Sequence, residues 1–263
     1  MLTRDELYRL YWTKNKTIKQ IAQMYGVSQK TLVRYMNRHD IVRRDKSAAI
    51  RLWLSPDIRK RMGAKRRKKF NSSPSSTLSY VLGVLLGDGF VHKSGGRYYV
   101  NLRVKDWIFA EKFMKALKKI RLNPYIFTDS RGYCWVQAIS VNFYEWYEPL
   151  KLDLEKVKTL IQKFEKQFVC GFYESEGSIV MHRKKFRADR LRVDIYNQRK
   201  ELLSIIKNIF STWGIKSWLL GPDKRGCFRL EVEGNKRVEK LLRIIKPCIK
   251  THWVREQRPK SEM

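Results

Sequence analysis

The sequence has few acidic residues. It holds 25 Asp and Glu against 57 Lys and Arg in 263 residues, which gives a formal net charge of +32 and a sequence pI of about 10.2. Such an excess of one charge repels itself in a compact fold, so we expect an anionic partner. No apolar run approaches the ~20 residues that a membrane span requires, so we expect no membrane partner. The 12 Phe, 13 Tyr and 8 Trp are interleaved with Lys and Arg, a combination typical of nucleic-acid-binding proteins.

The sequence also lacks the paired cysteines of a zinc site or a disulfide framework. Its four cysteines are scattered without a C-x-x-C pair, and its four histidines show no ligand spacing. The first residues lack the apolar segment of a signal peptide, and Asp5 and Glu6 argue against a transit peptide. We therefore expect reduced, mostly packed thiols and a cytoplasmic, nucleoid-associated protein.

Residues 1–42 carry the start signals of three short helices. Thr3 and Thr17 each open a capping box, and Ser28 follows a glycine turn as the cap of a third, basic helix. This order resembles the helix-turn-helix, whose second helix enters the major groove of DNA. An ordinary helical hairpin is the alternative. In the helix-turn-helix interpretation, the residues that face DNA are Gln29, Lys30 and Arg34.

Residues 43–77 are expected to form a basic linker. Residues 1–77 together carry 20 Lys or Arg and 5 Asp or Glu, and a dense phosphate-seeking cluster covers 65–69. The segment 71–76 has the Ser-rich composition of a flexible linker. Residues 46–62 also resemble the small DNA-binding modules attached to intron-borne nucleases, and a solvated basic linker is an equally good interpretation.

From residue 78 onward the sequence predicts the order α-β-β-α-β-β-α twice, which is an α+β fold. The first repeat covers 78–152, a connector helix covers 153–165, and the second repeat with a basic tail covers 166–263. Strands are clearest at 97–105 and 190–196, where apolar residues alternate with polar and basic ones. A soluble outer face does not require this bias toward Arg, so we expect the strands to enter the major groove. The predicted DNA-facing residues are Arg97, Tyr99, Asn101, Arg103, Lys105, Arg190, Arg192, Asp194, Tyr196 and Asn197.

Each repeat opens with the same short motif. Residues 81–89, VLGVLLGDG, recur as 169–177, VCGFYESEG. Both copies have small residues four positions apart, which let two helix backbones approach closely. Parallel packing of these helices would place their terminal acids, Asp88 and Glu176, side by side. A helix that ends by chance in an acid and a glycine is the alternative for either copy alone.

Two carboxylates at adjacent helix C-termini are unfavourable by themselves. The C-terminal end of a helix carries partial negative charge, so a carboxylate there costs up to ~1 kcal/mol, and the two carboxylates repel each other. A divalent cation reverses both effects, and oxygen ligands favour Mg²⁺ over zinc. The pattern therefore predicts a metal site suited to phosphodiester hydrolysis. Gly89 and Gly177 are expected to leave the helices through a left-handed conformation.

Both motifs resemble the LAGLIDADG motif of homing endonucleases, and residues 78–263 resemble a single-chain, two-repeat member of that family. The resemblance implies pseudo-twofold αββαββα repeats, two saddle-shaped sheets over DNA, and site-specific cleavage of both strands. It implies that Asp88 and Glu176 bind the catalytic metal ions, which would be two or three Mg²⁺ ions. The carbonyl groups of the preceding residues, Gly87 and Ser175, would join them.

The resemblance also implies a basic residue near each scissile phosphate, after the last helix of each repeat. Lys151 and Lys250 fit this position, although a helix-terminal lysine in solvent explains them equally well. A polar residue at the end of the second strand would order water, and Lys105 and Asn197 fit loosely. Leu86 stands where the family often has an acid, whereas the second motif retains Glu174; neither position supplies the metal ligand.

The sequence leaves three functions open. The leading hypothesis is a monomeric, Mg²⁺-dependent, site-specific endonuclease acting on double-stranded DNA. A DNA-binding transcription regulator with a degenerate nuclease core is a second, and the intact acids argue against it. A maturase that binds the RNA of its host intron is a third. A basic saddle can bind either polymer, so the sequence barely separates the maturase from the nuclease.

Overall fold

The computed structural model describes residues 2–45, 69–184 and 187–251. The chain divides into two compact units between residues 65 and 66. The segment 46–62, nearly all of the basic cluster and the tail beyond residue 251 lie outside the described residues. Within the described ranges, no helix combines the length and the hydropathy needed to traverse a bilayer.

The N-terminal unit is helical. Its elements are α1 (Arg4–Tyr8), a π-helical turn (Arg9–Thr13), α2 (Ile18–Met24) and α3 (Gln29–Arg38). Apolar side chains from these elements form a small core of their own, which consists of Leu7, Leu10, Tyr11, Ile21, Ala22, Leu32, Met36 and Ile41.

Side-chain caps fix the starts of these helices where the sequence predicts them. The Thr17 hydroxyl accepts from the Gln20 main-chain N–H at 3.2 Å, and the Gln20 side chain accepts from the Thr17 N–H at 2.9 Å. The Ser28 hydroxyl accepts from the Thr31 N–H at 3.0 Å. Gly26 precedes this cap with a φ of +64°, a left-handed conformation that glycine adopts without strain.

The C-terminal unit contains the two predicted repeats, and the predicted element order is confirmed. The first repeat consists of α4 (Ser76–Leu86), β1 (Phe90–Ser94), β2 (Arg97–Val104), α5 (Trp107–Lys119), β3 (Tyr125–Thr128), β4 (Cys134–Ile139) and α6 (Val141–Leu150). The connector is α7 (Leu154–Ile161). The second repeat consists of α8 (Glu165–Glu176), β5 (Gly177–Lys184), β6 (Arg187–Asn197), α9 (Lys200–Thr212), β7 (Trp218–Leu220), β8 (Phe228–Glu233) and α10 (Asn235–Ile245).

Each repeat forms one antiparallel four-stranded sheet. The strand orders are β1-β2-β4-β3 and β5-β6-β8-β7, so the two sheets have the same topology. The registers also correspond. Phe90, the first residue after the glycine of the first motif, pairs with Asn101. Ser178, which follows the glycine of the second motif, pairs with Asp194. Asn101 and Asp194 therefore occupy equivalent positions.

One face of each sheet packs against helices. Val100 and Val136 in the first sheet, and Val193 and Leu230 in the second, have no exposed surface. Burying an aliphatic side chain of this size contributes about 1.5–3 kcal/mol. These residues belong to one hydrophobic cluster that also contains the inner residues of α4 and α8, so the two repeats share a core. The opposite face of each sheet carries the alternate residues of the strands.

Candidate active site at the paired helix ends

The two motif helices pack in parallel with their backbones in contact. A Cβ atom at Gly83 of α4 would overlap the carbonyl oxygen of Phe168 on α8. A Cβ atom at Gly171 of α8 would overlap the carbonyl oxygen of Tyr80 on α4. Only glycine permits this approach, because any side chain would force the helices apart. The close packing expected from the small residues is therefore present.

This packing brings the C-terminal ends of α4 and α8 together. A Cβ atom at Gly87 would lie 2.5 Å from the Ser175 Cβ and 3.1 Å from the Glu176 Cγ. Gly87 directly precedes Asp88, so the two motif acids are neighbours across the helix pair. The structure thus brings together Asp88, Glu176, Gly87 and Ser175, the predicted metal ligands.

The proximity of Asp88 and Glu176 affects the pKa of Glu176. Burial, and then the negative charge of Asp88, raise the pKa of Glu176 to about 7. Hydrogen bonding from Asn197 and the charge of Lys250 act in the opposite direction. Asp88 is more exposed, yet partial desolvation by the surrounding protein raises its pKa as well, and Lys250 opposes that shift. Two acids that resist ionisation together form a site that favours a cation.

Asn197 orients one of the acids. Its side-chain N–H donates to Glu176 Oε1 at 3.1 Å, while its own Oδ1 accepts from the Arg199 main-chain N–H at 2.9 Å. The second bond fixes which end of the amide faces the acid. Equivalent registers place Val104 at this position in the first repeat. Lys105 is one residue further on, exposed, with its ammonium 5.4 Å from the Tyr133 ring.

Lys250 lies at the helix ends. Its ammonium donates to the carbonyl oxygen of Ser175 at 2.5 Å. Burial lowers the pKa of Lys250, and the charges of Asp88 and Glu176 counteract that shift. Lys250 therefore faces both motif acids and contacts a carbonyl group that the resemblance assigns to the metal.

Lys151 is placed differently. It follows the last turn of α6, and its ammonium pairs with Glu148 on the same helix at 2.8 Å. Of the two lysines predicted from their positions after the final helix of each repeat, the structure brings only Lys250 to the motif acids by its described contacts.

Sequence reasoning gave no role to Glu174, which is central in the structure. Its fully buried carboxylate accepts from the Tyr80 hydroxyl at 2.7 Å, the Lys112 ammonium at 2.6 Å and the Cys248 main-chain N–H at 2.6 Å. The only sequence signal for such a role was that the second motif retains an acid at this position. These three partners come from 62 to 94 positions away, so no local pattern predicts them, whereas the Cys170 thiol, one helical turn earlier, also donates to Glu174 at 3.5 Å.

Three consecutive residues of α8 hold the segment 247–250. Glu174 accepts from the Cys248 N–H, Ser175 accepts from the Lys250 ammonium, and the Tyr173 hydroxyl donates to the Lys250 carbonyl oxygen at 2.9 Å. The helix that carries Glu176 therefore also fixes the position of Lys250.

The expected left-handed exit from the motif helices is wrong. Neither Gly89 nor Gly177 has a positive φ, and Gly177 is extended with φ −82° and ψ 157°. These positions require glycine because a Cβ atom would have no room. A Cβ atom at Gly177 would overlap the ring of Tyr173, and one at Gly89 would lie 3.0 Å from the Leu85 Cα.

The predicted DNA-facing residues of the strands differ in accessibility. Arg97, Arg190 and Tyr196 are exposed, and Tyr99 is half-buried. Arg103 donates to Asp129 at 2.8 and 3.0 Å, and Arg192 donates to Asp194 at 2.8 and 3.0 Å. Asn101 and Asp194 lie on the predicted faces but are each only 1% exposed, because neighbouring side chains cover them.

In the N-terminal unit, α3 presents a polar surface. Gln29, Lys30 and Arg34 are exposed, whereas Leu32 and Met36 face the small core. The helix-turn-helix remains a prediction.

The donor set at the helix ends is compatible with Mg²⁺. Among the described residues, no three His, Cys, Asp or Glu side chains are grouped to hold a metal. Two carboxylates and the Ser175 carbonyl group nevertheless lie together here. Mg²⁺ usually keeps several waters and takes one or two carboxylates, with substrate phosphate oxygens completing its shell. The residues therefore fit a metal shared with a phosphate.

Comparison with known proteins points to the same fold. Residues 163–246 match the family model of the LAGLIDADG-like domain. Two uncharacterized proteins of Methanocaldococcus jannaschii are similar to the chain: MJ0314 is 34% identical over 171 residues and MJ0398 is 30% identical over 167 residues. Each match covers 61% of this chain, and 64% and 57% of the respective relatives, so the chain spans about three fifths of their length.

Solved structures of the homing endonuclease I-DmoI are similar to the C-terminal unit. Its mesophilic variants give a TM-score of 0.50 at 20% identity, covering 65% of this chain and 96% of that chain. I-DmoI in complex with DNA and Mn gives a TM-score of 0.50 at 19% identity, covering 66% and 98%. The resemblance inferred from the motifs is thereby confirmed, and the C-terminal unit has the two-repeat LAGLIDADG fold.

Proposed function

We propose that this chain, whose C-terminal unit has the LAGLIDADG fold, is a site-specific endonuclease that hydrolyses both strands of double-stranded DNA with Mg²⁺. The observation that carries the proposal is the junction of α4 and α8. There two carboxylates and a lysine ammonium meet at helix ends that glycine holds in contact. I-DmoI, which shares the fold, has been solved with DNA and Mn.

Asp88 and Glu176 would hold the divalent ions together with the carbonyl groups of Gly87 and Ser175. A bound ion lowers the pKa of its water and neutralises charge on the phosphate. Asn197 keeps Glu176 oriented toward the site. The Lys250 ammonium donates to the Ser175 carbonyl oxygen and faces both acids, so its charge could stabilise a phosphate bound at the site.

The charge of the chain supports a polyanionic substrate. A net charge of +32 implies many phosphate contacts, so binding is expected to weaken steeply as salt rises. Gln29, Lys30 and Arg34 of α3 would add contacts from the N-terminal unit. One chain supplies both motif helices, which makes a monomer sufficient for a two-strand cut.

Cleavage of a supercoiled plasmid library with randomised inserts tests the proposal. The wild type should linearise a subset of plasmids with Mg²⁺ and none with a chelator. Asp88→Asn and Glu176→Gln should each abolish cleavage while affinity for the recovered sites, measured by fluorescence anisotropy, stays within about threefold. Glu155→Gln, which removes an exposed acid of α7, serves as the control and should cut normally. Normal cleavage by either motif variant would refute the site assignment.

A further inference from the structure

The outer faces of the two sheets, which lie opposite the helix-covered faces, have different chemistry. On the first sheet six rings follow one another across all four strands: Tyr99, His92, Phe90, Trp135, Phe127 and Tyr125. Successive ring centroids are 5.2 to 6.2 Å apart, so the rings form one continuous surface. Phe90, Tyr125 and Phe127 remain 39%, 48% and 42% exposed. We define these six residues as the aromatic face.

Two polar groups of the aromatic face are engaged within the protein. The indole N–H of Trp135 donates to Asp129 at 2.9 Å, and the Tyr125 hydroxyl donates to Gln137. Arg103, the cation nearest to these rings, donates twice to Asp129 and lies 3.9 Å over the Tyr133 ring. The face therefore offers a ligand exposed aromatic surface, and its neighbouring cation Arg103 is paired with an acid, as Arg192 is on the second sheet.

A row of charges on the second sheet covers two of the six positions equivalent to the aromatic face, those of Tyr99 and Trp135. Arg192 lies 2.8 Å from Asp194 and 3.7 Å from Glu231, and Arg229 lies 3.1 Å from Glu231. Glu233 also belongs to this row of charges, because it is paired with Arg192 across β6 and β8. Register places Arg229 where the first sheet has Trp135, and Leu220 where it has Phe127. We define Arg192, Asp194, Arg229, Glu231 and Glu233 as the charged face.

Base pairs differ in what they present in the major groove. Thymine presents a methyl group, which apolar side chains contact, whereas guanine presents two acceptors that suit Arg and cytosine a donor that suits Glu or Asp. An aromatic face would leave the acceptors of guanine unpaired on desolvation, and a charged face gains nothing from a methyl group. Each face therefore favours a different base composition.

We propose that the target duplex is asymmetric in composition, with an A·T-rich half under the aromatic face and a G·C-rich half under the charged face. This inference rests on the proposed function, because it assumes that each sheet covers one half of a duplex. A single strand stacked on the aromatic rings is a different ligand and is one outcome of the test.

Binding-site selection from randomised duplexes tests the inference, using the full-length wild type with a chelator so that no DNA is cut. The bound pool should be enriched in A·T in one half and in G·C in the other. Equal composition in both halves would overturn the inference. Tighter binding to single strands of the same length than to any selected duplex would also overturn it.

Two variants assign the halves. Phe127→Ala should lower the preference for A·T over G·C about five- to tenfold in the A·T-rich half only. Leu220→Ala, at the equivalent and similarly exposed position (41%), should leave that half unchanged. Loss of preference in the G·C-rich half with Phe127→Ala would refute the assignment.

Selection does not depend on cleavage, so the two proposals fail separately. If the wild type with Mg²⁺ cuts none of the selected duplexes, the nuclease proposal fails while the composition result stands. If it cuts sites of uniform composition, only the inference fails.

Discussion

The two repeats have the same strand order and equivalent registers, yet they contribute unequally to the site. The second repeat supplies Glu176, the Asn197 amide that orients it, and Lys250. The first repeat supplies Asp88, but it has Val104 in place of the amide and a lysine paired with its own helix. The two halves therefore share one backbone arrangement but differ in the side chains that they bring to the site.

The divergence is sharpest at one position inside the motif helices. Leu86 and Glu174 are equivalent, and both are buried. Leu86 belongs to the hydrophobic cluster, whereas Glu174 accepts from four donors and anchors the segment before Lys250. Only the second repeat can therefore hold the segment 247–250 by a buried carboxylate, because the first repeat has a leucine at this position.

The largest expected effect separates the two lysines. Lys250→Met should slow cleavage about 10²–10³-fold, because it removes a charge that would stabilise the phosphate. Lys151→Met should change the rate by less than about threefold, since its ammonium is engaged in a partly exposed pair. Single-turnover cleavage of a selected site measures both. Equal losses of cleavage rate in the two variants would show that both lysines contribute equally and would contradict the unequal roles inferred here.

Glu174 is expected to show the next largest effect. Glu174→Gln leaves the Lys112 ammonium without its carboxylate, and breaking a fully buried pair costs about 3–5 kcal/mol. Lys112 keeps 32% of its side chain exposed, so we expect a loss of about 2–3 kcal/mol in the free energy of unfolding. Urea denaturation measures it. Glu155→Gln removes an exposed pair as the control and should cost less than about 0.5 kcal/mol.

The pKa of Glu176 predicts a pH dependence with a defined sign. Its pKa is raised from 4.5 to about 7, so without metal this group makes the folded state less stable as pH rises through that interval. Metal binding must displace the proton, so Mg²⁺ affinity should fall up to about tenfold for each pH unit below 7. Thermal melting with and without Mg²⁺ between about pH 6 and pH 8 measures this linkage.

Glu176→Gln is the control for the pH experiment and should remove the dependence on that group. A Mg²⁺-induced shift in melting temperature that is the same at both ends of the range in the wild type would contradict the pKa assignment.

The smallest expected effect comes from Asn197→Val, which copies the residue of the first repeat. Losing one hydrogen bond to a charged group costs about 1.5–3 kcal/mol at most, and less at a half-exposed site. We expect a few-fold slower cleavage and a pH profile displaced to higher pH, because Asn197 lowers the pKa of Glu176. Gln198→Val, at the exposed neighbour, should leave the profile unchanged. A slower rate with an unmoved profile would indicate a purely structural role.

Periodic and repeated features of the chain were predictable from sequence. Alternation at 97–105 and 190–196 indicated the strands, and small residues four apart indicated the close helix pair, because both patterns are local consequences of backbone geometry. Long-range pairings were not predictable in this way. No local signal shows that Glu174 accepts from residue 248, that Arg103 is paired with Asp129, or that Asn101 is buried.

The hold of α8 on residues 247–250 makes the segment after α10 a structural part of the helix pair, because three consecutive helix residues anchor it. A product shortened after residue 246 should accordingly bind nucleic acid without cutting it.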